Sequence, residues 1–176
     1  MPSTASKVAR LQQIIGRLDD ALSEFGEAVP TGEEAETSDV HVVVGTSKMA
    51  RDNPLLIERI TRMVNGAYLE ANRELLPPGT DRYNRVSDDD VQNRLAMGDA
   101  GPHANRVLHL AYRGDTLVGC CSSTIQPPWT QEGCGHWGLV VVDKPAQGTG
   151  VASALVQAAE CRLAGQCAQI QVRCEM

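Results

Sequence analysis

The stretch that most constrains this chain is LVVVDKPAQGTGVASALVQAAE, residues 139–160. A β-branched run, Leu139 to Val142, suits a strand. Beyond Gly150, the residues Val151, Leu155, Ala158 and Ala159 recur on one helical face in an alanine-rich segment. Gly148 and Gly150 lie between the two and let the backbone turn tightly and a ligand approach it. The first amides of a helix have no intrahelical acceptor and stand at the positive end of its dipole. Such a turn suits a phosphate or pyrophosphate. It also fits an ordinary loop that opens a helix.

Three phosphate-binding patterns compete for these residues. A Walker loop needs GxxxxGK[ST], which is absent. A dinucleotide fingerprint needs its glycines directly after the strand, but Asp143 to Gln147 intervene and Ser153 takes the third glycine's place. The acid expected to hold the ribose would be Glu175, with only Met176 after it. The third pattern, [Q/R]xxGx[G/A], is met by Gln147, Gly150 and Ala152. Together with the preceding strand, VVVDKPAQGTGVASALVQAAE closely resembles motif A of the GNAT superfamily of acetyl-CoA-dependent N-acetyltransferases. The motif's proline is displaced by one position, to Pro145. The likeness extends upstream to ITRMVNGAYLEAN, similar to the family's first helix, and to VLHLAYRGDTLVGCC, similar to its β-hairpin.

The resemblance implies an α/β (α+β) fold over residues 39–176, a mixed and mostly antiparallel sheet flanked by helices. It implies acetyl-CoA as cosubstrate, its pyrophosphate wrapped by the amides of Gly148, Thr149, Gly150, Val151, Ala152 and Ser153, with Gln147 beside them. The pantetheine arm would bond the backbone of Val140, Val141 and Val142. A bulge in that strand would splay it from AQIQV, and one of its N–H groups would polarise the thioester carbonyl. The family's last two strands, and the C-terminal helix that commonly carries a tyrosine as general acid, are expected to be missing here. None of Tyr68, Tyr83 and Tyr112 matches that tyrosine.

The remaining pattern predicts the order β-α-α-β-β-β-α-β, a mixed arrangement with hairpins before the last helix. DVHVVVG reads as a strand. Asn53 is read as an N-cap with Pro54 at the first helical position, and Leu56, Ile60, Met63, Val64 and Ala67 share a helical face. Ser87 caps DDDVQNRLAMG, whose aspartates suit the positive helix end. RVLHLAY and TLVGCCSSTI form a hairpin around Gly114, HWGLVVV is a strand begun by His136, and AQIQVRC is the last strand. At the N-terminus, Val8, Leu11, Ile15, Leu18, Leu22 and Phe25 form a heptad seam over residues 5–26. It suits a helix packed on its own domain or one that makes a homodimer. An acidic linker completes the unit 1–38.

Composition narrows the function. Aromatics are only 3% of the chain, so Val, Leu, Ile, Ala and Cys must fill the core. A net charge of −6 argues against a general nucleic-acid surface and is compatible with a cationic substrate. No apolar run approaches the roughly 20 residues of a membrane span. The absence of a signal-peptide pattern predicts a cytoplasmic protein with reduced thiols. Cys120 and Cys121 are expected on opposite strand faces, one in the core and one at the surface. No cysteine–histidine spacing suggests a metal site.

Acyl transfer to an amine needs a base for the ammonium. His136 and Glu132 are the candidates, with Asp143 read as capping the turn. A histidine titrates in the right range, although a strand-end histidine facing water is the plainer reading. Trp129 and Trp137 flank the strand's entry and suit a rim or core role, or the lining of an acceptor pocket. The acceptor is expected to be a small-molecule or peptide amine, and an acyl-CoA-binding module without chemistry is the competing reading.

Overall fold

The computed structural model describes residues 40–172. The predicted helix over 5–26, the linker and the boundary at residue 38 lie outside the described residues.

Five strands form one sheet in sequence order: β1 Val40–Val44, β2 Arg106–Arg113, β3 Thr116–Thr124, β4 Cys134–Val142 and β5 Gln169–Gln171. The first four are antiparallel neighbours, and β5 joins β4 in parallel. Four helices cover the sheet: α1 Ser47–Asp52, α2 Leu56–Ala71, α3 Asp88–Gly98 and α4 Val151–Ala164. The fold is thus mixed α/β with a mostly antiparallel open sheet, as the resemblance implied.

Burial follows the helical and strand periods. On one face Leu56, Ile60 and Val64 of α2 and Val91 and Leu95 of α3 pack with Leu108, Leu110, Cys120 and Val141. On the other, Val151, Leu155 and Ala159 of α4 pack with Ala111, Val118 and Cys121. Because both faces are covered, the central strand β3 is buried along nearly its whole length. Cys120 and Cys121 do point to opposite faces, but Cys121 is not a surface thiol: both are fully buried. Burial pushes each thiol up to about 12.

Local chemistry sets the helix ends. Ser87 caps α3, as its sequence predicts, and Asp90 completes a reciprocal capping box with it. The reading of Asn53 as an N-cap is corrected. Asn53 closes α1, its N–H donating to the Met49 carbonyl at 3.0 Å, and α2 begins only at Leu56. The short helix α1 was not foreseen. It is capped by the Thr46 hydroxyl, which accepts from the Met49 N–H. Gly114 supplies the positive φ in the β2–β3 turn.

β4 begins at Cys134, earlier than expected, and carries the irregularity that matters for function. Cys120 pairs with Val141 but Ser122 with Gly138, so Leu139 and Val140 together face Cys121. This is a β-bulge. Leu139 adopts φ 54°, the left-handed region that a branched side chain normally avoids. The Cys121 thiol donates to the displaced Gly138 carbonyl at 3.5 Å. β5 pairs with β4 only over Cys134–His136, before the bulge. Among the described residues, β4 has no strand partner on that edge from Trp137 to Val142.

Candidate active site

The glycine turn follows β4 after a short connection, Asp143 to Gln147. Asp143 caps a single 3-10 turn, Lys144–Ala146, its carboxylate accepting from the Lys144 N–H at 3.0 Å. Gly148 (φ 76°) and Gly150 (φ 82°) are both left-handed, and a Cβ added to either would meet nothing within 4 Å. Gly150 is the N-cap of α4 and brings no side chain to its amides, and no acidic residue lies in the first turn. The Ala146 and Gln147 N–H groups are bonded within the turn, and that of Ala154 donates to the Gly150 carbonyl at 3.0 Å. Between them, the N–H groups of Gly148 to Ser153 have no acceptor among the described residues. These exposed donors at a helix N-terminus make a fitting cradle for a diphosphate.

Neighbouring side chains add positive charge. The Arg113 Nη2, at the end of β2, donates to the Thr149 hydroxyl at 2.7 Å, and Thr149 donates to the Ala146 carbonyl. The buried Arg113 Nε has no hydrogen-bond partner among the described residues. A cleft of about 680 Å³ runs between α2 and the end of β4, lined by Arg59, Arg62, Met63, Val142, Lys144 and Gln147. Gln147, whose Nε2 donates to the Val142 carbonyl at 3.2 Å, is the turn's point of contact with this cleft.

A second cleft, about 280 Å³, opens where β4 bulges. His136, Trp129, Gly138 and Leu139 line it. The His136 Nδ1 lies 2.8 Å from the Gln171 carbonyl. A carbonyl only accepts, so Nδ1 carries the proton and Nε2 of the neutral ring keeps its lone pair. Trp129 meets the imidazole edge to face at 6.0 Å. A side chain at Gly138 would come within 3.0 Å of Nε2. The glycine therefore keeps that nitrogen accessible.

The structure thus places the turn residues beyond the exit of β4 and His136 near its entry, on either side of the bulge and in separate clefts. Glu132 is exposed in the loop before β4 and does not line the His136 cleft. Trp137 lies on the opposite face, where its Nε1 donates to Glu160 of α4 at 3.2 Å. Tyr68, Tyr83 and Tyr112 do not line the His136 cleft either. Tyr68 stacks with Tyr83, and Tyr112 with His41. Sequence reasoning missed Arg113 at the turn and two arginines of the second cleft, Arg94 and Arg106; the third, Arg85, ends the DRYNR loop that the resemblance places at the acceptor's border, with no substrate assigned to it. No local pattern marks Arg94 and Arg106, because each comes from a different element. Among the described residues no group of histidines, cysteines and carboxylates could hold a metal ion, and no helix is long and apolar enough to cross a membrane.

Comparison with known proteins bears on the family and the fold. A family model described as the acetyltransferase (GNAT) family matches residues 68–175. Among solved structures, a transcriptional regulator from Bacillus halodurans C-125 superposes with a TM-score of 0.53 at 22% identity, covering 78% of this chain and 83% of its own. A ribosomal-protein-alanine N-acetyltransferase from Brucella melitensis biovar Abortus 2308 gives 0.51 at 16% identity, covering 78% and 81%. An aminoglycoside 6'-N-acetyltransferase complexed with coenzyme A gives 0.50 at 17% identity, covering 75% and 60%. A search of curated proteins found no sequence match.

Proposed function

The chain belongs to the GNAT acetyltransferase family, and from that premise we propose that it moves an acetyl group from acetyl-CoA directly to a primary amine in a ternary complex. The observation that carries this reading is the run of unpaired amides from Gly148 to Ser153. They form a diphosphate cradle at the exit of a strand whose edge is free. When bound, acetyl-CoA supplies a thioester whose acyl carbon is open to attack by a neutral amine.

The chain's own residues have three tasks. The turn amides, with Gln147 beside them and Arg113 nearby, hold the diphosphate. Val140 to Val142 of β4, which lack a second strand partner among the described residues, would offer main-chain groups to an extended arm beside the bond from Gln147 Nε2 to the Val142 carbonyl, and an N–H at the Leu139 bulge would polarise the thioester carbonyl. His136 accepts the acceptor's proton on Nε2 while the Gln171 carbonyl holds its Nδ1–H and so fixes the tautomer. Glu132 is the second base within this reading, from the adjoining loop. Replacing each by Gln separates the two.

The decisive experiment is thermal stabilisation by acetyl-CoA, compared with NAD and ATP, followed by release of free coenzyme A with a panel of amines. Stabilisation by acetyl-CoA alone, with amine-dependent release, is expected. Stabilisation by NAD but not acetyl-CoA would overturn the site. Stabilisation by acetyl-CoA without release from any amine would leave a cofactor-binding module.

A further inference from the structure

The second cleft is strongly cationic in a chain whose net charge is −6. Arg94 from α3, Arg106 at the start of β2 and Arg85 in the loop before α3 all line it, and among the described residues no Asp or Glu does. Arg94 and Arg106 are half-buried. Their hydrogen bonds go to neutral hydroxyls: Arg94 Nη1 to Ser122 at 3.3 Å and Arg106 Nε to Thr124 at 3.0 Å. Arg85 lies over the Tyr68 ring, 5.1 Å from its centroid. Among the described residues, none of the three has a carboxylate within ion-pair distance. Burial and then the neighbouring Arg106 push Arg94 below the usual guanidinium range; Asp90 pulls it back by less. Three guanidinium groups thus share a small concavity that no described carboxylate lines, with only Asp90 acting on Arg94 from outside it, an arrangement that an anionic ligand relieves.

The charge also stands beside the reacting end of the site. His136, with its free Nε2, and Leu139 at the bulge line the same cleft. The hydroxyls of Ser122 and Thr124 use one N–H each of Arg94 and Arg106 and leave other N–H groups of both forks for a ligand. A guanidinium fork matches the paired oxygens of a carboxylate or phosphate.

We propose that the amine acceptor is a small molecule carrying a carboxylate or phosphate, held by Arg94, Arg106 and Arg85 while its amine faces His136. This rests on the acetyltransferase reading given above. The net charge of the chain is compatible with a cationic substrate, but this cleft would repel a polyamine or other polycation.

The test compares matched pairs: an amino acid with its amide, an amino sugar phosphate with the free amino sugar, and spermidine as a polycation. Coenzyme A release should favour an anionic member of at least one pair by roughly 10- to 100-fold in kcat/KM. Which pair responds separates carboxylate from phosphate. Arg106→Gln and Arg94→Gln should raise KM for that acceptor by a similar factor while KM for acetyl-CoA stays within about twofold. Arg85→Gln, at an exposed loop position, should weaken it less and serves as the variant least able to disturb folding. Equal rates for both members of every pair, or preference for spermidine, would overturn the proposal. A second measurement keeps it distinct from the acetyl-CoA reading: calorimetric binding of inorganic phosphate to wild type and Arg106→Gln. Phosphate binding lost in the variant supports the anion site even if acetyl-CoA fails to bind, and identical binding in both proteins counts against it.

Discussion

The glycine turn and the His136 cleft lie at opposite ends of the β4 bulge and work by opposite means. At the turn the donors are main-chain N–H groups, and side chains contribute by being small or absent. At the cleft the chemistry belongs to side chains from α3, β2, β4 and two loops. A site made of backbone tolerates little change in conformation, and where φ is positive it admits little but glycine. A side-chain site changes what it binds with single substitutions. One strand can therefore carry a fixed cofactor cradle at its exit and a variable acceptor pocket near its entry.

Four measurements would break or sharpen this contrast. The largest effect is expected from His136→Gln, which should lower kcat by roughly 100- to 10,000-fold and leave acetyl-CoA stabilisation intact. An equal loss in both would show that the two regions are not separate. Next, Gly150→Leu should weaken acetyl-CoA binding by roughly 100- to 1,000-fold, because a side chain at φ 82° strains the turn and enters the cradle. Binding isotherms that match wild type would remove the cradle from this turn.

A third measurement separates acid effects on the whole fold from those on His136. Buried His109 meets the Ser123 hydroxyl at 2.8 Å, and Arg162 of α4 also donates to Ser123. Burial, and then the charge of Arg162, lowers the His109 pKa to about 4. The unfolded chain therefore binds this proton more readily, so stability is kept above about pH 6.5 and falls as pH drops toward about 4. Denaturant titrations at pH 7 and 4.5 should differ by roughly 2 to 3 kcal/mol from this group. His109→Gln should flatten the difference, and an unchanged slope would refute the assignment. The smallest effect is Arg113→Gln, expected to weaken acetyl-CoA by about tenfold without changing kcat. A fall in kcat instead would tie Arg113 to the acceptor end.

The same contrast explains what could be read without coordinates. The turn's geometry was legible because its residues, Gln147 to Ser153, are consecutive and two of them are glycines at positive φ. The strands and main helices were legible through their burial periods. Arg94, Arg106 and Arg113 were not, since only the fold brings them beside His136 or Thr149. Helix α1 was missed because six residues with no buried side chain give no periodic signal. Cys121 was misplaced because alternation assigns a residue to a face, and does not say whether a helix covers that face. Here α4 does.

That double cover gives the chain an internal reporter. Thiol-reactive dyes attack the thiolate, which both the high pKa and the burial of Cys120 and Cys121 suppress in the native state. Each becomes available when the helical layer above it lifts, Cys120 from the α2–α3 side and Cys121 from the α4 side. Exposed Cys161 supplies a native-state labelling control. Modification rates at two adjacent positions can then time the opening of each layer separately, with no label engineered into the protein.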